Sequence, residues 1–457
     1  YTTLFRSEYN TVWMVQGNRL TPTGLNRYKA DGVGMPFEVE PGHFDDVLEP
    51  YAKKYNLPIR DFEKQYLERT LVDPALDLYF VHDRSLRESG HDTTDRLINM
   101  CANLNSVDIN SFLYKYEKDI AYLIKEYFNG SFQAQDVTYT SEDWEQKADI
   151  RKEKVNQLCW NEEAGMYFDY DFVNKKQFPF EAATTFFPLW AGLCSDNQAK
   201  KLVEVALPHF IKTGGITGST KASSDLFSDD GPQRQWDYPF GWAPHQILLW
   251  EGLIKYKFFD KAQEMVYRWL WLITKNAVEY NGTIPEKFDL EISSHKVFAE
   301  YGNVGTEFDY IAKEGFGWVN ASYQFGLKFL DASLKDKLNE LTSITYDSAA
   351  TINLVDNKND IVTYSSNASQ KQFAVFSEVY YKLGWKAYID EVESPIIKTN
   401  YVLRGLVIPA GKHNIRFEFK PSSITMAQRA SAFASIILWG LLIGLIIKSF
   451  KKENSLS

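Results

Sequence analysis

The chain has 457 residues, 44% of them apolar and 24% charged, which excludes a disordered or collagen-like polymer and allows roughly two to four domains. Its 60 Asp and Glu against 50 Lys and Arg give a net charge of −10, so it lacks the basic balance that a general nucleic-acid binder needs. Cys101, Cys159 and Cys194 cannot frame a disulfide scaffold and fit no Cys/His metal spacing.

The chain opens at Tyr1 with no charged-then-apolar leader. The first segment to stand out is Arg87-Glu88-Ser89-Gly90-His91-Asp92-Thr93-Thr94, where small polar residues predict a carboxylate in a tight turn before a helix starting near Arg96. Up to about residue 335 the periodic segments are helical. Ile247, Trp250, Ile254 and Phe258 recur at three- and four-residue steps, as do Met265, Trp269 and Leu272. The longest predicted loop runs from Lys212 to Arg234. Within it Gly214-Gly215-Ile216-Thr217-Gly218-Ser219-Thr220-Lys221 lacks the Gly-Lys-Ser/Thr ending of a phosphate loop and reads as a flexible connection. Many helices joined by long loops suggest a mainly α array, an α/α toroid.

Two more segments follow. Gln235 to Gln246 is dense in aromatics and stiffened by Pro239 and Pro244. The other runs from Ile284-Pro285-Glu286-Lys287-Phe288 through Thr306-Glu307-Phe308 to Glu314-Gly315-Phe316-Gly317-Trp318-Val319-Asn320. His245 has no second histidine at helical spacing and reads as a packing or capping residue. Together the segments offer loop carboxylates (Asp92, Asp237, Glu286, Glu307) among Trp, Tyr, Gly and Asn. A lone loop carboxylate is more often an N-cap or a surface charge, and a lone Trp more often a core residue. In combination they suit glycosidic cleavage, which needs one carboxylic acid to protonate the leaving oxygen and one carboxylate to activate water or attack carbon.

After Leu341 the period drops to two: Ile415, Phe417 and Phe419 alternate with Asn414, Arg416, Glu418 and Lys420. With the runs Gln372–Tyr381 and Ile396–Ile408, this predicts a small antiparallel β domain. Residues 430–447 carry no charge and are flanked by Arg429, Lys448, Lys451 and Lys452, a pattern that predicts a C-terminal transmembrane helix with a cytoplasmic C-terminus. The predicted organisation is a catalytic domain over 1–335, a β-sandwich-like domain over 342–425 and a span over 430–447.

The segments also resemble a known family. Gln235-Trp236-Asp237-Tyr238-Pro239-Phe240-Gly241-Trp242-Ala243-Pro244 is similar to the second signature of trehalases, glycoside hydrolase family 37. Glu88-Ser89-Gly90-His91-Asp92-Thr93 and Glu314-Gly315-Phe316-Gly317-Trp318-Val319-Asn320 are similar to two further trehalase segments, and the His-Asp-Thr form looks like the fungal neutral branch. The resemblance covers roughly 1–332 and implies a metal-free, cofactor-free, inverting hydrolase of trehalose on an (α/α)6 toroid. It implies that Asp92 is the general acid and Glu286 the general base, with Gly90, Glu307 and Glu38 at substrate positions and Trp236, Asp237 and Trp242 shaping the pocket. The acid must start protonated, and inversion needs the two carboxyls roughly 6.5–9.5 Å apart.

The family's Gly-Gly-Arg-Phe and Arg-Ser-Gln-Pro-Pro segments are absent, which predicts a toroid incomplete at its N-terminus. Val375–Tyr381, Gly384–Asp390 and Tyr401–His413 look like the end of YfhO-like bacterial membrane proteins. The alternative to an enzyme is an inert, membrane-tethered sugar-binding module, and the cytoplasm is the alternative to a membrane location.

Overall fold

The structure is a computed structural model. It describes residues 9–37, 42–134, 137–227, 233–279, 282, 284–297, 299, 315, 317–342, 347–381, 384–399, 403–421, 431–432, 435 and 439. The chain forms two compact units. One comprises Tyr1–Asn276 with Thr283–Lys335, the other Ala277–Gly282 with Asp336–Ser457.

The first unit is built on helices. In chain order the longer ones are α1 (Asp45–Lys54), α2 (Ile59–Leu67), α3 (Pro74–Ser89), α4 (Val107–Tyr127), α5 (Ser141–Leu158), α6 (Ala243–Lys255), α7 (Phe259–Glu279) and α8 (Gly317–Phe329). Local chemistry sets their ends. Asp73 caps α3 by accepting from the Ala75 and Leu76 N–H groups, and Pro74 occupies its first turn, where no N–H is needed. Thr140 caps α5 through the Asp143 N–H. The pair α1–α2 packs around Leu48, Phe62, Tyr66, Leu76 and Phe80, while α4 lies on α5 with Leu113, Ile124 and Trp144 between them.

Three details differ from the sequence reading. No helix begins at Arg96: the chain turns through 95–100, with Asn99 in the left-handed region, and α4 starts only at Val107. The cause is Arg96 itself, which points inward to bond Asp169 and Asp108. In α6 the buried face carries Gln246, Leu249, Trp250 and Leu253, whereas Ile247 and Ile254 are half-buried. The helix is apolar nearly all round, so its periodicity could not fix the phase. Finally, the described part of the predicted loop 212–234, up to Phe227, is ordered rather than loose. Ile211–Lys212 pairs with Gly215–Ile216, Thr217 and Ser219 are buried, and a helix follows over Lys221–Phe227. That helix rests on local bonds, Thr220 Oγ1 to the Ser223 N–H and Lys221 to Asp225, rather than on an apolar stripe.

The first unit also holds short strand pairs too brief to show alternation. The important one joins β1 (Phe240–Trp242) to β2 (Lys287–Asp289), antiparallel, with Trp242 opposite Lys287.

The second unit is an antiparallel β-sandwich. Its strands are β3 (Thr351–Asn357), β4 (Ile361–Ala368), β5 (Gln372–Val379), β6 (Trp385–Ile389), β7 (Val392–Ser394), β8 (Ile397–Thr399), β9 (Leu403–Ile408) and β10 (Gly411–Phe419). Five strands run in the order β3-β4-β10-β6-β7 and three in the order β5-β9-β8. Alternate residues of both sheets, among them Val362, Phe376, Leu406, Ile415 and Phe417, meet in one apolar core.

The stretch 430–447 falls almost wholly outside the described residues. Among the described residues no helix is long and apolar enough to cross a membrane.

Candidate functional site

The first site element is the exit of α3. Gly90 closes that helix at φ 74°, a left-handed conformation that a side chain would strain, and a Cβ there would meet nothing within 4 Å. The sharp stop delivers His91 and Asp92 directly after an exposed position. Burial raises the pKa of the Asp92 carboxyl above its ordinary value. The nearby charges of Asp83 and Glu286 push the same way, against Arg87 and a backbone hydrogen bond. This is how a fold keeps a carboxylic acid protonated closer to neutrality.

The second element is the loop 234–242, tied to the Asp92 turn at several points. The Trp236 N–H donates to the Thr93 carbonyl at 3.0 Å, and the Gln235 amide donates to the Asp92 carbonyl. Asp237 is buried and accepts from the Thr94 hydroxyl and the Asp95 N–H, each at 2.7 Å. Burial, then the charge of Asp95, pushes its pKa up to about 7. Arg234 bonds Asp95 at 3.0 Å. Beneath the loop, the Gly218 N–H donates to the Phe240 carbonyl and the Tyr238 N–H to Ser219 Oγ. The segment from Gly214 to Lys221 is therefore a support of the site.

The third element is Glu286, on a bend just before β2. Lys287 Nζ lies 3.0 Å from its Oε2 and 4.8 Å from the centre of the Trp242 ring. Gly315 crosses so close that a Cβ would fall 2.4 Å from the Glu286 N atom, so no side chain fits there. Gly315 thus brings the start of the α8 segment against the candidate base.

Aromatic rings fill the space between these elements. Trp236 and Trp242 stack with centroids 3.8 Å apart, and Trp318 meets both edge-on at 6.4 and 5.8 Å. Trp242 donates its indole N–H to the Gln235 carbonyl at 2.7 Å. Below them His91 and His245 face each other, Nε2 to Nε2, at 3.2 Å. Burial depresses both pKa values, that of His91 to about 3, so both rings are neutral. The shared contact requires one ring to donate and the other to accept.

The structure thus gathers Gly90, Asp92, Trp236, Asp237, Trp242 and Glu286 around one place. Glu38 and Glu307 lie outside the described residues. Trp236 and Trp242 turn their faces to each other, and Asp237 spends both oxygens on the Asp92 turn. Elsewhere Trp144, Trp250 and Trp269 are core residues, among the largest fully buried side chains. Sequence reasoning gave no role to Gln235, Lys287 or the His91–His245 contact. Lys287 had one available signal, its place beside Glu286; the other two depend on tertiary pairing. Among the described residues no three His, Cys, Asp or Glu side chains are grouped to hold a metal ion. The three cysteines are free and buried.

Chemically, the arrangement holds a carboxyl of raised pKa within electrostatic reach of a second carboxylate, in a turn locked by hydrogen bonds to the loop that carries Trp236. Two such carboxyls can serve as a general acid and a general base.

Comparison with known proteins agrees with this chemistry. The family model described as Trehalase matches residues 4–331. A cytosolic neutral trehalase of Kluyveromyces lactis is 49% identical over 327 residues, covering 71% of this chain and 43% of that protein. A probable trehalase of Saccharomyces cerevisiae is 49% identical over 328 residues, covering 71% of this chain and 42% of that protein. Among solved structures, neutral trehalase Nth1 from Saccharomyces cerevisiae matches with a TM-score of 0.66 at 44% identity, over 74% of this chain and 58% of that one. The first unit therefore has the helical toroid fold of that structure. The chain spans less than half the length of the two curated relatives.

Proposed function

The chain belongs to the trehalase family, and we propose that it is a glycosidase that hydrolyses α,α-trehalose to two glucose molecules with inversion. In this reading Asp92 protonates the glycosidic oxygen while the Glu286 carboxylate draws a proton from the water that attacks the anomeric carbon. Water's oxygen forms the new bond to carbon as the glycosidic bond breaks, and the acid's proton leaves on the departing glucose. The observation that carries the assignment is the raised pKa of Asp92 in a buried turn that the charge of Glu286 reaches. Deprotonated at rest, Asp92 would have no proton to give.

Gly90 borders the open space beside Asp92 and suits contact with a glucose hydroxyl. Trp236 and Trp242 shape the wall behind the acid as a stacked pair, and Asp237 fixes the Asp92 turn. Glu307 and Glu38 complete the proposed sugar contacts on the strength of the family resemblance alone. The experiment is glucose release from trehalose by the purified chain, alongside Asp92→Asn and Glu286→Gln. Undiminished activity in either variant overturns the role of that residue.

The proposed compartment is the cytoplasm, following the name of the Kluyveromyces lactis relative. Membrane attachment through 430–447, and the likeness of 345–455 to the end of YfhO-like proteins, rest on sequence pattern. Fractionation of the chain with and without 430–447 decides between the compartments: recovery of the intact chain in the membrane fraction only would overturn the cytoplasmic assignment.

A further inference from the structure

A continuous run of contacts joins the carboxylate of Glu286, the candidate base, to the backbone of Asp92, the candidate acid. Glu286 Oε2 meets Lys287 Nζ at 3.0 Å, and the same ammonium sits over the Trp242 ring at 4.8 Å. The Trp242 indole N–H donates to the Gln235 carbonyl at 2.7 Å, and the Gln235 side-chain amide donates to the carbonyl of Asp92. From these contacts we propose that Lys287 and Trp242 act as a brace that sets the Glu286 carboxylate at a fixed distance from Asp92, with Lys287 a positioning residue for the hydrolysis. The inference rests on the reading of Asp92 and Glu286 as acid and base.

Three features make this more than an incidental ion pair. First, neighbouring residues of an extended strand normally point to opposite faces, so Glu286 and Lys287 should not meet. They meet because Glu286 lies on the bend before β2. Second, the antiparallel register places Lys287 opposite Trp242, so the backbone ladder holds the ammonium over the ring. Third, the lysine side chain is only 12% exposed, so the pair is largely removed from the solvent screening that weakens surface ion pairs. Oε1 of Glu286 accepts no hydrogen bond from the described residues. Anchoring Oε2 therefore leaves one defined oxygen for the attacking water.

The brace predicts a specific kinetic pattern. Losing the anchor lets the carboxylate rotate away from the water without touching the sugar contacts, which lowers kcat more than it alters KM. Displacing a reacting group by about 1 Å can cost on the order of 10²-fold. Steady-state glucose release should be measured on the full chain for wild type, Lys287→Met, Lys287→Arg and Trp242→Phe, with a thermal melt of each. Lys287→Met is expected to lose kcat by about 10- to 100-fold with KM within about threefold of wild type. Lys287→Arg, which keeps the charge and the stacked cation, should recover most of that loss. Trp242→Phe, which keeps a ring but drops the bond to Gln235, should fall between.

Wild-type kcat in Lys287→Met overturns the brace and leaves the proposed function standing. A wild-type chain that releases no glucose overturns both. If Lys287→Met does not fold, the arginine variant decides: recovered kcat supports the brace, and a folded but impaired Lys287→Arg overturns it.

Discussion

In the helical unit, Arg96, Asp108 and Asp169 are buried together, as are Arg151 and Glu117, and Arg234 reaches Asp95 beside Asp237. In the β unit the core cluster is apolar, and among its described residues Arg404 is the buried cation, lying 3.8 Å from the Trp385 ring centre. Burying a charge costs several kcal/mol per ion, and good pairing only offsets it. The helical unit tolerates that cost repeatedly, and the Arg96 and Arg234 pairs do so beside the turn that carries Asp92. The β unit is held by paired strands and packed side chains. Buried ionic networks here mark the place where backbone position has to be fixed. Apolar packing marks the place where it does not.

The comparison can be broken in four ways, the largest first. Asp92→Asn and Glu286→Gln should each lower trehalose hydrolysis by about 10²–10⁴-fold, as loss of general acid or base commonly does, with melting temperatures close to wild type. A large stability loss in both would mean that these carboxylates are structural. Next, Arg96→Met leaves Asp108 and Asp169 buried without their cation. Chemical denaturation of the helical unit should show a loss of about 3–5 kcal/mol. A neutral result would remove the premise that the network is the framework of the site.

The third prediction concerns pH. Because the folded-state pKa of Asp237 is raised to about 7, the folded chain holds a proton that the unfolded chain releases above about pH 4. That contribution to stability is complete below pH 4 and is lost as the pH rises to 7. Between pH 5 and 8 wild type should lose on the order of 2 kcal/mol from this group, and Asp237→Asn should not. Parallel pH dependence in the two proteins would contradict the assignment. The smallest effect belongs to the β unit. Ile415→Val trims a fully buried side chain and should cost about 1 kcal/mol, seen as faster hydrogen exchange in β9 and β10, with glucose release unchanged. A drop in kcat would tie the β unit to catalysis.

How much of this was legible in the sequence depends on what held each part. In α7, Met265, Trp269 and Leu272 are spaced at helical steps and are all fully buried, because that helix has one apolar face and one polar one. The β10 alternation likewise puts Ile415 and Phe417 in the core. In α6 both faces are apolar, so the period was visible and the phase was not. The short pairs such as β1–β2 were invisible, since three residues cannot show an alternation. Yet that pair places Lys287 under Trp242. The site's carboxylates stood out because Gly, Pro and aromatic residues surround them in the chain. The contacts that tie them together did not, because His91 meets His245, and Asp237 meets Thr94, across more than 140 positions of sequence.

The central claim is that Asp92 and Glu286 act as an inverting acid–base pair on trehalose. It is tested most directly by proton NMR of the sugar released in the first minutes by the purified chain. Inversion predicts α- and β-glucose in equal amounts, one from the departing half and one from the attacked half, before they equilibrate. Release of α-glucose alone, or of no glucose, would contradict it.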